Sequence, residues 1–159
     1  MNADLILVDG YSVIHAWPEL RAKHRRRLAS ARDELIRLLT RFSDESGKAV
    51  AIVFDGGKSS SPTAAISESV RGVEVLYSKR GQTADDIIER CVAMSKNPEA
   101  ILVVTDDGAE RRLCEGFGAP VASAAELRDL LASASADFSV QLASVRGKGR
   151  PPRRLQIRS

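Results

Sequence analysis

The sequence predicts an open α/β fold in which helices cover both faces of a mainly parallel sheet of about five strands. Short runs of branched apolar residues, each the length of a buried strand, alternate with segments whose apolar residues recur at helical spacing. Three of the apolar runs also end directly in acid, at Asp9, at Asp55 and at Asp106-Asp107. In open α/β sheets the carboxyl ends of the parallel strands form one edge, and ligands bind there.

The predicted elements follow the order β-α-β-β-α-β-α-β-α, which is typical of sheets whose strands are joined by helical crossovers. The strands are expected at residues 5–9, 49–54, 73–77, 100–105 and 121–122. Helices are expected at residues 30–42, 84–95, 109–117 and 124–132, and a turn or short helix at 13–19 is interrupted by Trp17-Pro18.

Local signals indicate where these helices begin and end. Gly47 is a stop signal for the first long helix. Thr83 is a candidate N-cap, followed by Asp85 and Asp86 in the first turn, where the helix dipole favours acids. Ser123 begins a capping box for the last helix.

Three stretches lie outside this pattern. Residues 56–63 are rich in Gly and Ser and predict a loop, and the Gly-Lys-Ser fragment at 57–59 lacks the spacing of a P-loop. Residues 147–159 are expected to be disordered. Shortly before this tail, four apolar residues alternate with polar ones, which is compatible with an additional edge strand. They are Phe138, Val140, Leu142 and Val145.

Length and composition indicate a globular protein. The 159 residues suit one domain, and the 43% apolar and 28% charged content is ordinary. No window approaches the ~20 apolar residues of a membrane span. Because the N-terminus carries Asp4 and Asp9 and lacks the features of a signal peptide, we expect a cytoplasmic protein. Cys91 and Cys114 are too few for a disulfide framework and are expected to be free, mostly buried thiols.

Charge is unevenly distributed along the chain. The net charge is +3, yet residues 146–159 hold six Lys and Arg and no acid, so residues 1–145 carry a net charge of −3. We expect a folded domain at 1–135 and an extension with a basic tail at 136–159. Basic tails usually contact phosphate, most often that of nucleic acid. The cations at 21–27 form either a solvated face or a phosphate-contacting patch. The candidate RNA-binding residues are Lys79, Arg80, Arg25, Arg26, Arg150, Arg153 and Arg154.

The acids at the strand ends predict a metal site. Asp9, Asp55 and Asp107 would converge at one edge of the sheet, with Asp85 approaching from a helix N-terminus, although acids at a helix start also occur for capping alone. Like charges this close raise one another's pKa or recruit a cation. A site of oxygen ligands alone suits Mg²⁺ or Mn²⁺, which in two-metal nucleases activate water and stabilise the charge of a phosphodiester under attack.

Several motifs occur in a specific order over residues 4–132. They are Val8-Asp9-Gly10-Tyr11-Ser12-Val13-Ile14, Ala16-Trp17-Pro18-Glu19-Leu20, Val53-Phe54-Asp55, Thr83-Ala84-Asp85 with Ile88-Glu89, Val104-Thr105-Asp106-Asp107, and Gly118-Ala119 followed by Ser123-Ala124-Ala125-Glu126-Leu127. This set resembles the YacP-like branch of the NYN domains. These are PIN-like ribonucleases of three-layer α/β/α fold, and one member of the branch is a ribosome-associated endoribonuclease that cuts mRNA.

The resemblance implies a Mg²⁺- or Mn²⁺-dependent endoribonuclease that acts on mRNA or rRNA, in the ribosome-associated case on the ribosome. Asp9, Asp85 and Asp107 fall on acidic positions of the family and are the expected catalytic residues and metal ligands. Asp55 also falls on one and would act through water or from the second shell of ligands. Asp86 lies where the family often has another acid.

Two residues depart from the family pattern. The family usually reads Asp-Gly-Tyr-Asn, whereas this chain has Ser12, which can still donate one hydrogen bond to an acid or phosphate. The family's Thr-Ser-Asp reads Thr105-Asp106-Asp107 here, so Asp106 is a further candidate ligand.

Two other functions fit parts of the sequence. Ser12 and the basic tail would also suit an RNA- or ribosome-binding module whose metal site is weak or inactive. A metal-dependent phosphatase or a phosphoacceptor domain on a similar sheet fits less well, because residue 11 is Tyr where the phosphatase motif needs acid. The paired acids also follow the fourth strand, whereas a phosphoacceptor has them after the first.

Overall fold

The computed structural model describes residues 3–56, 66–70 and 72–149. The strands are β1 (Leu5–Asp9), β2 (Ala49–Phe54), β3 (Ile66–Val70), β4 (Val73–Tyr77), β5 (Ile101–Val104) and β6 (Val121–Ala122). The helices are α1 (Gly10–Ala16), α2 (Pro18–Arg26), α3 (Leu28–Ser46), α4 (Ala84–Met94), α5 (Gly108–Gly116) and α6 (Ala124–Gly149). A single 3₁₀ turn, Pro98–Ala100, precedes β5.

The strands form one sheet in the order β3-β4-β2-β1-β5-β6. Five of them are parallel, which confirms the predicted sheet, and β3 pairs with β4 in the antiparallel direction. The sequence did not predict β3, because Ile66–Val70 contains two serines and a glutamate and lacks an apolar run. Strand β1 is central, since it pairs with β2 on one side and with β5 on the other.

Helices cover both faces of this sheet. On one face, Ile6 and Val8 of β1 join a core that includes Leu35 of α3. On the other face, Leu7 packs in a core that includes Ile88 of α4. Because successive side chains of a strand point to opposite faces, β1 must be apolar up to its last residue, and residues 5–8 are all apolar.

The local signals predicted at Gly47, Thr83 and Ser123 are confirmed. Gly47 ends α3 in the left-handed conformation with φ of 74°, which glycine adopts at little cost. Thr83 and Asp86 form a reciprocal capping box at the start of α4. The amide of Ser123 donates to Glu126 Oε1 over 2.9 Å, and the Glu126 amide donates to Ser123 Oγ over 3.1 Å.

Helices α1 and α2 are joined at Trp17, which is buried. Pro18 is the first residue of α2, a position where its missing N–H has no cost. Trp17 Nε1 donates to the Ala124 carbonyl over 2.9 Å, and the Arg128 guanidinium lies over the Trp17 ring at 5.1 Å. Arg128 also forms an ion pair with Glu19. These contacts attach the start of α6 to the α1–α2 corner.

Two expectations about the end of the chain were wrong. Helix α6 does not stop near residue 132, and residues 138–145 belong to it rather than to an edge strand. The physical reason is that neither Gly nor Pro interrupts the chain between residues 124 and 146, and three of the apolar residues also recur at helical spacing. They are Phe138, Leu142 and Val145. The domain boundary expected at residue 135 falls inside this helix.

Some predictions concern residues that the structure does not describe. Most of the Gly- and Ser-rich loop at 56–63 and the tail from residue 150 onward lie outside the described ranges. Both cysteines are free thiols; Cys114 is buried and Cys91 is half-buried. Within the described ranges, we find no helix with the length and apolar character required to cross a membrane.

Candidate metal centre

Three carboxylates meet at the carboxyl edge of the sheet. Asp9 is the last residue of β1, while Asp85 and Glu110 lie in the first turns of α4 and α5. One oxygen from each lies within 4.8 Å of the others. Asp9 is 8% exposed and Glu110 is 1% exposed, so water screens little of their mutual repulsion.

Asp9 is held by hydroxyl groups on two elements. It accepts hydrogen bonds from Ser12 Oγ at 3.0 Å and from Thr105 Oγ1 at 3.5 Å, and its other oxygen accepts from the Ser12 amide at 3.4 Å. Ser12 Oγ in turn accepts from the Asp106 amide at 3.3 Å. Ser12 therefore links β1 to the loop after β5, and its single hydroxyl both orients Asp9 and satisfies a neighbouring backbone donor.

The other two acids are positioned by helix capping. The capping box formed by Thr83 and Asp86 holds the first turn of α4, which carries Asp85. Asp107 is the N-cap of α5, where its Oδ1 accepts from the amides of Ala109 and Glu110 at 2.8 and 3.2 Å. Because both helices begin at the cluster, the positive ends of their dipoles face the acids.

The burial and the charges of the cluster favour binding of a cation. Burial raises the pKa of Glu110 to about 9, and the carboxylates of Asp85 and Asp9 act in the same direction. Burial also raises the pKa of Asp9, although the hydrogen bonds from Ser12 oppose it. Both carboxylate oxygens of Glu110 are buried, and neither has a hydrogen-bond partner among the described residues. Oxygens that are buried without a partner are costly, and a bound cation would satisfy them. The site therefore fits Mg²⁺ or Mn²⁺ by its ligand atoms and by its unsatisfied charge.

The remaining predicted acids lie around this cluster. A cleft of about 420 Å³ is lined by Asp9 and Asp85 and also by Asp55, Asp106 and Asp107. Three of its acids hold backbone or hydroxyl groups at its rim. Asp55 Oδ1 accepts from Ser78 Oγ at 3.1 Å and from the Ala84 amide at 3.2 Å.

Asp106 and Asp107 have comparable rim positions. Asp106 Oδ1 accepts from the Ala124 amide at 2.9 Å, which joins the loop after β5 to the start of α6. Asp107 caps α5 as described above. The structure thus brings all the predicted strand-end acids to one cleft, but it places only Asp9 and Asp85 in the tight cluster with Glu110.

The predicted RNA-binding cations lie at several places. Lys79 and Arg80 line a second cleft beside α4, together with Asp86. Arg25 and Arg26 are exposed in the last turn of α2. The tail arginines at 150, 153 and 154 lie outside the described residues.

Sequence reasoning missed Glu110. It is not at a strand end, and no motif of the resemblance includes it. A usable signal was present nonetheless, because Glu110 precedes the buried Cys114 by one helical turn. An acid on the buried face of an amphipathic helix has a functional or paired environment more often than not.

We expect the metal-free protein to lose stability as the pH rises from about 5 towards 9. The folded protein keeps a proton on Glu110 that the unfolded chain, with an ordinary pKa of 4.5, has released. Stability attributable to this group should then fall by roughly 1 kcal/mol per pH unit. Carboxylates with lowered pKa values, such as Glu19 and Glu34, stabilise the protein throughout this range and do not change the trend, because their stabilisation is lost only at more acidic pH. Thermal unfolding in EDTA across this range measures the trend.

Saturating Mg²⁺ or Mn²⁺ should reverse that trend, because the metal binds the deprotonated carboxylates. If stability in EDTA stayed level across the range, the raised pKa of Glu110 would be contradicted.

The parallel sheet, the helix layers on both faces and the acid cluster at the strand ends together define a PIN-like, nuclease-type domain. The chain belongs to the YacP-like NYN domain family, whose model matches residues 6–157. Among curated proteins, it is 34% identical over 125 residues to the uncharacterized protein YacP of Bacillus subtilis (strain 168). That match covers 78% of this chain and 72% of the relative.

Solved structures agree with this assignment. A crystal structure of Rae1 (YacP) from Bacillus subtilis, the W164L mutant, aligns with a TM-score of 0.74 at 28% identity, covering 92% of this chain and 86% of that chain. A second crystal structure of Rae1 aligns with a TM-score of 0.71 at 29% identity, covering 91% and 83%. The resemblance read from the motifs and the fold expected from it are therefore confirmed.

Proposed function

We propose that this protein is a metal-dependent endoribonuclease that hydrolyses phosphodiester bonds of RNA. Membership of a nuclease-type family supports hydrolysis of RNA in general terms. The observation that carries metal dependence is the buried carboxylate of Glu110, which has no hydrogen-bond partner in the described part of the chain and lies within 4.8 Å of Asp9 and Asp85. Three acids so placed have little structural use unless a cation joins them.

In such a reaction, the carboxylates of the cluster and the residues that line the cleft would have different roles. Asp9, Asp85 and Glu110 would hold Mg²⁺ or Mn²⁺, and the cation, when bound, supplies Lewis acidity toward the scissile phosphate and the attacking water. Ser12 and Thr105 keep Asp9 in place through their hydroxyls.

Asp55, Asp106 and Asp107 line the same cleft and are candidates for positioning or deprotonating the attacking water. Attack by water that expels the 3′-oxygen leaves a 5′-phosphate, so no protein nucleophile is required.

RNA binding requires cations beside this acidic cleft, because its own charge repels a polyanion. Lys79 and Arg80, which line the cleft beside α4, are candidates that the structure describes. Arg25 and Arg26, and the tail arginines Arg150, Arg153 and Arg154, are further candidates. The substrate would be mRNA or rRNA, and the likeness to Rae1 (YacP) makes RNA on the ribosome the first complex to test.

Replacement of Asp85 by Asn should abolish metal-dependent cleavage of a labelled single-stranded RNA. The change removes a ligand charge while keeping the shape of the side chain. We expect activity to fall by more than about 100-fold, since changes to groups that only support a ligand already cost ~10–100-fold. Cleavage is measured with Mn²⁺, with Mg²⁺ and with EDTA.

Asp9→Asn, purified identically, should behave in the same way, while Asp33→Asn on the exposed side of α3 is the matched control and should cleave normally. Metal-dependent cutting that both site variants retain would point to a contaminating ribonuclease. If the native protein binds RNA but leaves it intact, both free and on translating ribosomes, the nuclease proposal fails and an RNA-binding module takes its place.

A further inference from the structure

A second cleft, of about 590 Å³, lies beside the metal centre. One wall is a face of α4 that carries Glu89 and Arg90, and the opposite wall is the end of α5, with Leu113 and Phe117. The turn that contains Lys79 and Arg80 closes one end. Its size falls within the range of small-molecule sites, which is also the scale of a nucleotide.

Phe117 is an exposed aromatic residue that lines this cleft. The chain has seven aromatic residues, and five of them are buried or half-buried in the described structure. Phe117 is 45% exposed and Leu113, one turn earlier on the same helix, is 41% exposed, and neither belongs to either hydrophobic core. Neighbouring exposed apolar side chains of this kind mark a binding surface.

Three cations line the same cleft as this apolar surface, together with the acids Asp86 and Glu89. Lys79, Arg80 and Arg90 line the cleft, and in the described part of the chain no carboxylate lies within ion-pair distance of any of them. Phe138, the other exposed aromatic residue, lies on α6 and is not among the residues that line this cleft. An aromatic platform beside several cations is the combination that binds single-stranded nucleic acid, because the ring stacks on a base while the cations contact phosphates.

The cleft adjoins the metal centre through α4. Asp86 and Glu89, which line the cleft, follow Asp85 by one and four residues on the same helix. Burial raises the pKa of Glu89, and the charges of Asp85, Asp86 and Asp107 raise it further. A strand whose phosphate lies at the metal centre would thus reach the cleft within a short distance.

We propose that this cleft binds an unpaired base of single-stranded RNA next to the scissile phosphate, with Phe117 stacking on the base and Lys79, Arg80 and Arg90 contacting the adjoining phosphates. The assignment rests on the proposed nuclease function and narrows its substrate to RNA that is unpaired at this position. A duplex would keep its bases stacked inside and could not present one to Phe117.

The test measures binding of a labelled oligoadenylate in EDTA, where cleavage does not occur. Phe117→Ala and Phe117→Leu should weaken binding at least about fivefold, as loss of a stacked base usually does. Phe117→Tyr should bind like the native protein, which shows that an aromatic ring is needed. An oligonucleotide of the same length that lacks bases should bind the native protein and the three Phe117 variants with equal affinity. Arg90→Gln should remove one phosphate contact. The plot of log binding constant against log salt concentration should then become less steep by about 0.7.

Phe138→Ala is the matched control, since it removes an exposed aromatic residue away from the cleft, and it should leave binding unchanged. The proposal is overturned if Phe117→Ala binds like the native protein, the result expected of a protein-docking patch, or if Phe138→Ala weakens binding equally. Cleavage assays on the same proteins separate the two proposals. If Phe117→Ala weakens RNA binding but the native protein never cleaves RNA, only the nuclease proposal is overturned. If Phe117→Ala binds and cleaves RNA like the native protein, only the base-binding proposal is overturned.

Discussion

Glu110→Gln should abolish metal-dependent RNA cleavage and, at the same time, stabilise the metal-free protein. The amide keeps the shape of the side chain but cannot supply the third negative charge to a cation. In the metal-free protein at neutral pH, it removes the need to keep a buried carboxyl protonated against its ordinary pKa. That requirement costs on the order of 3 kcal/mol at pH 7, so the variant should unfold at a higher temperature in EDTA. Thermal unfolding with and without Mn²⁺, beside the cleavage assay, measures both effects.

Glu115→Gln provides the matched control on the same helix. Glu115 is exposed and forms only a surface ion pair with Arg111 at 3.8 Å, so its loss should change stability by well under ~1 kcal/mol and leave cleavage intact. The metal-induced rise in unfolding temperature should persist in this control and disappear in Glu110→Gln. Retention of both the rise and the cleavage by Glu110→Gln would show that the metal does not bind there.

Gly10→Ala should destabilise the protein by about 3 kcal/mol and impair the site as well. A Cβ atom at residue 10 would lie within 2.5 Å of Phe54 Cδ1 and closer still to Cε1. The Phe54 ring cannot move aside easily, because it packs edge-on against Tyr11 and is stacked on Tyr77. Overpacking of this kind typically costs ~1–3 kcal/mol or more. For a chain of this length, we expect the unfolding temperature to fall by roughly 5–10 °C.

Gly116→Ala is the control for this change. Residue 116 ends α5 without a positive φ, and an added Cβ would meet no atom within 4 Å. Its unfolding temperature should stay level or rise slightly, because alanine is the better helix former. Both variants add one methyl group to the chain, but only the methyl group at residue 10 meets neighbouring atoms. Equal unfolding temperatures would mean that Phe54 does not confine residue 10.

The fold could be read from local patterns because those patterns coincide with tertiary burial. An apolar run such as Ile6–Val8 is buried on both faces, so composition alone identifies the strand. Strand β3 escaped prediction because a polar edge strand is held by its pairing with β4, which local sequence does not reveal. The length of α6 was misjudged for a related reason, since alternation over four apolar residues fits either a strand or a helix.

The residues of the candidate site also differ in how far the sequence could predict them. Asp9 and Asp85 were recognisable because a strand end and a helix start are both local features of sequence. Glu110 carried only the weaker signal of its spacing from Cys114, since it is the packing of α5 against the sheet that turns its side chain toward them. The same packing leaves Asp106 and Asp107 at the rim, where backbone amides rather than a shared cluster occupy their oxygens.

By itself the sequence determined the parallel sheet, the helix caps, the family and the cleft where the acids gather, because each depends on residue types at short spacing. The tertiary structure alone decided which carboxylates approach within 4.8 Å. It also decided that both oxygens of Glu110 are buried without a partner among the residues that the structure describes, and that Phe117 is exposed in a cleft lined by three cations. These properties depend on the distances between helices that are remote in sequence, and burial and charge act through those distances.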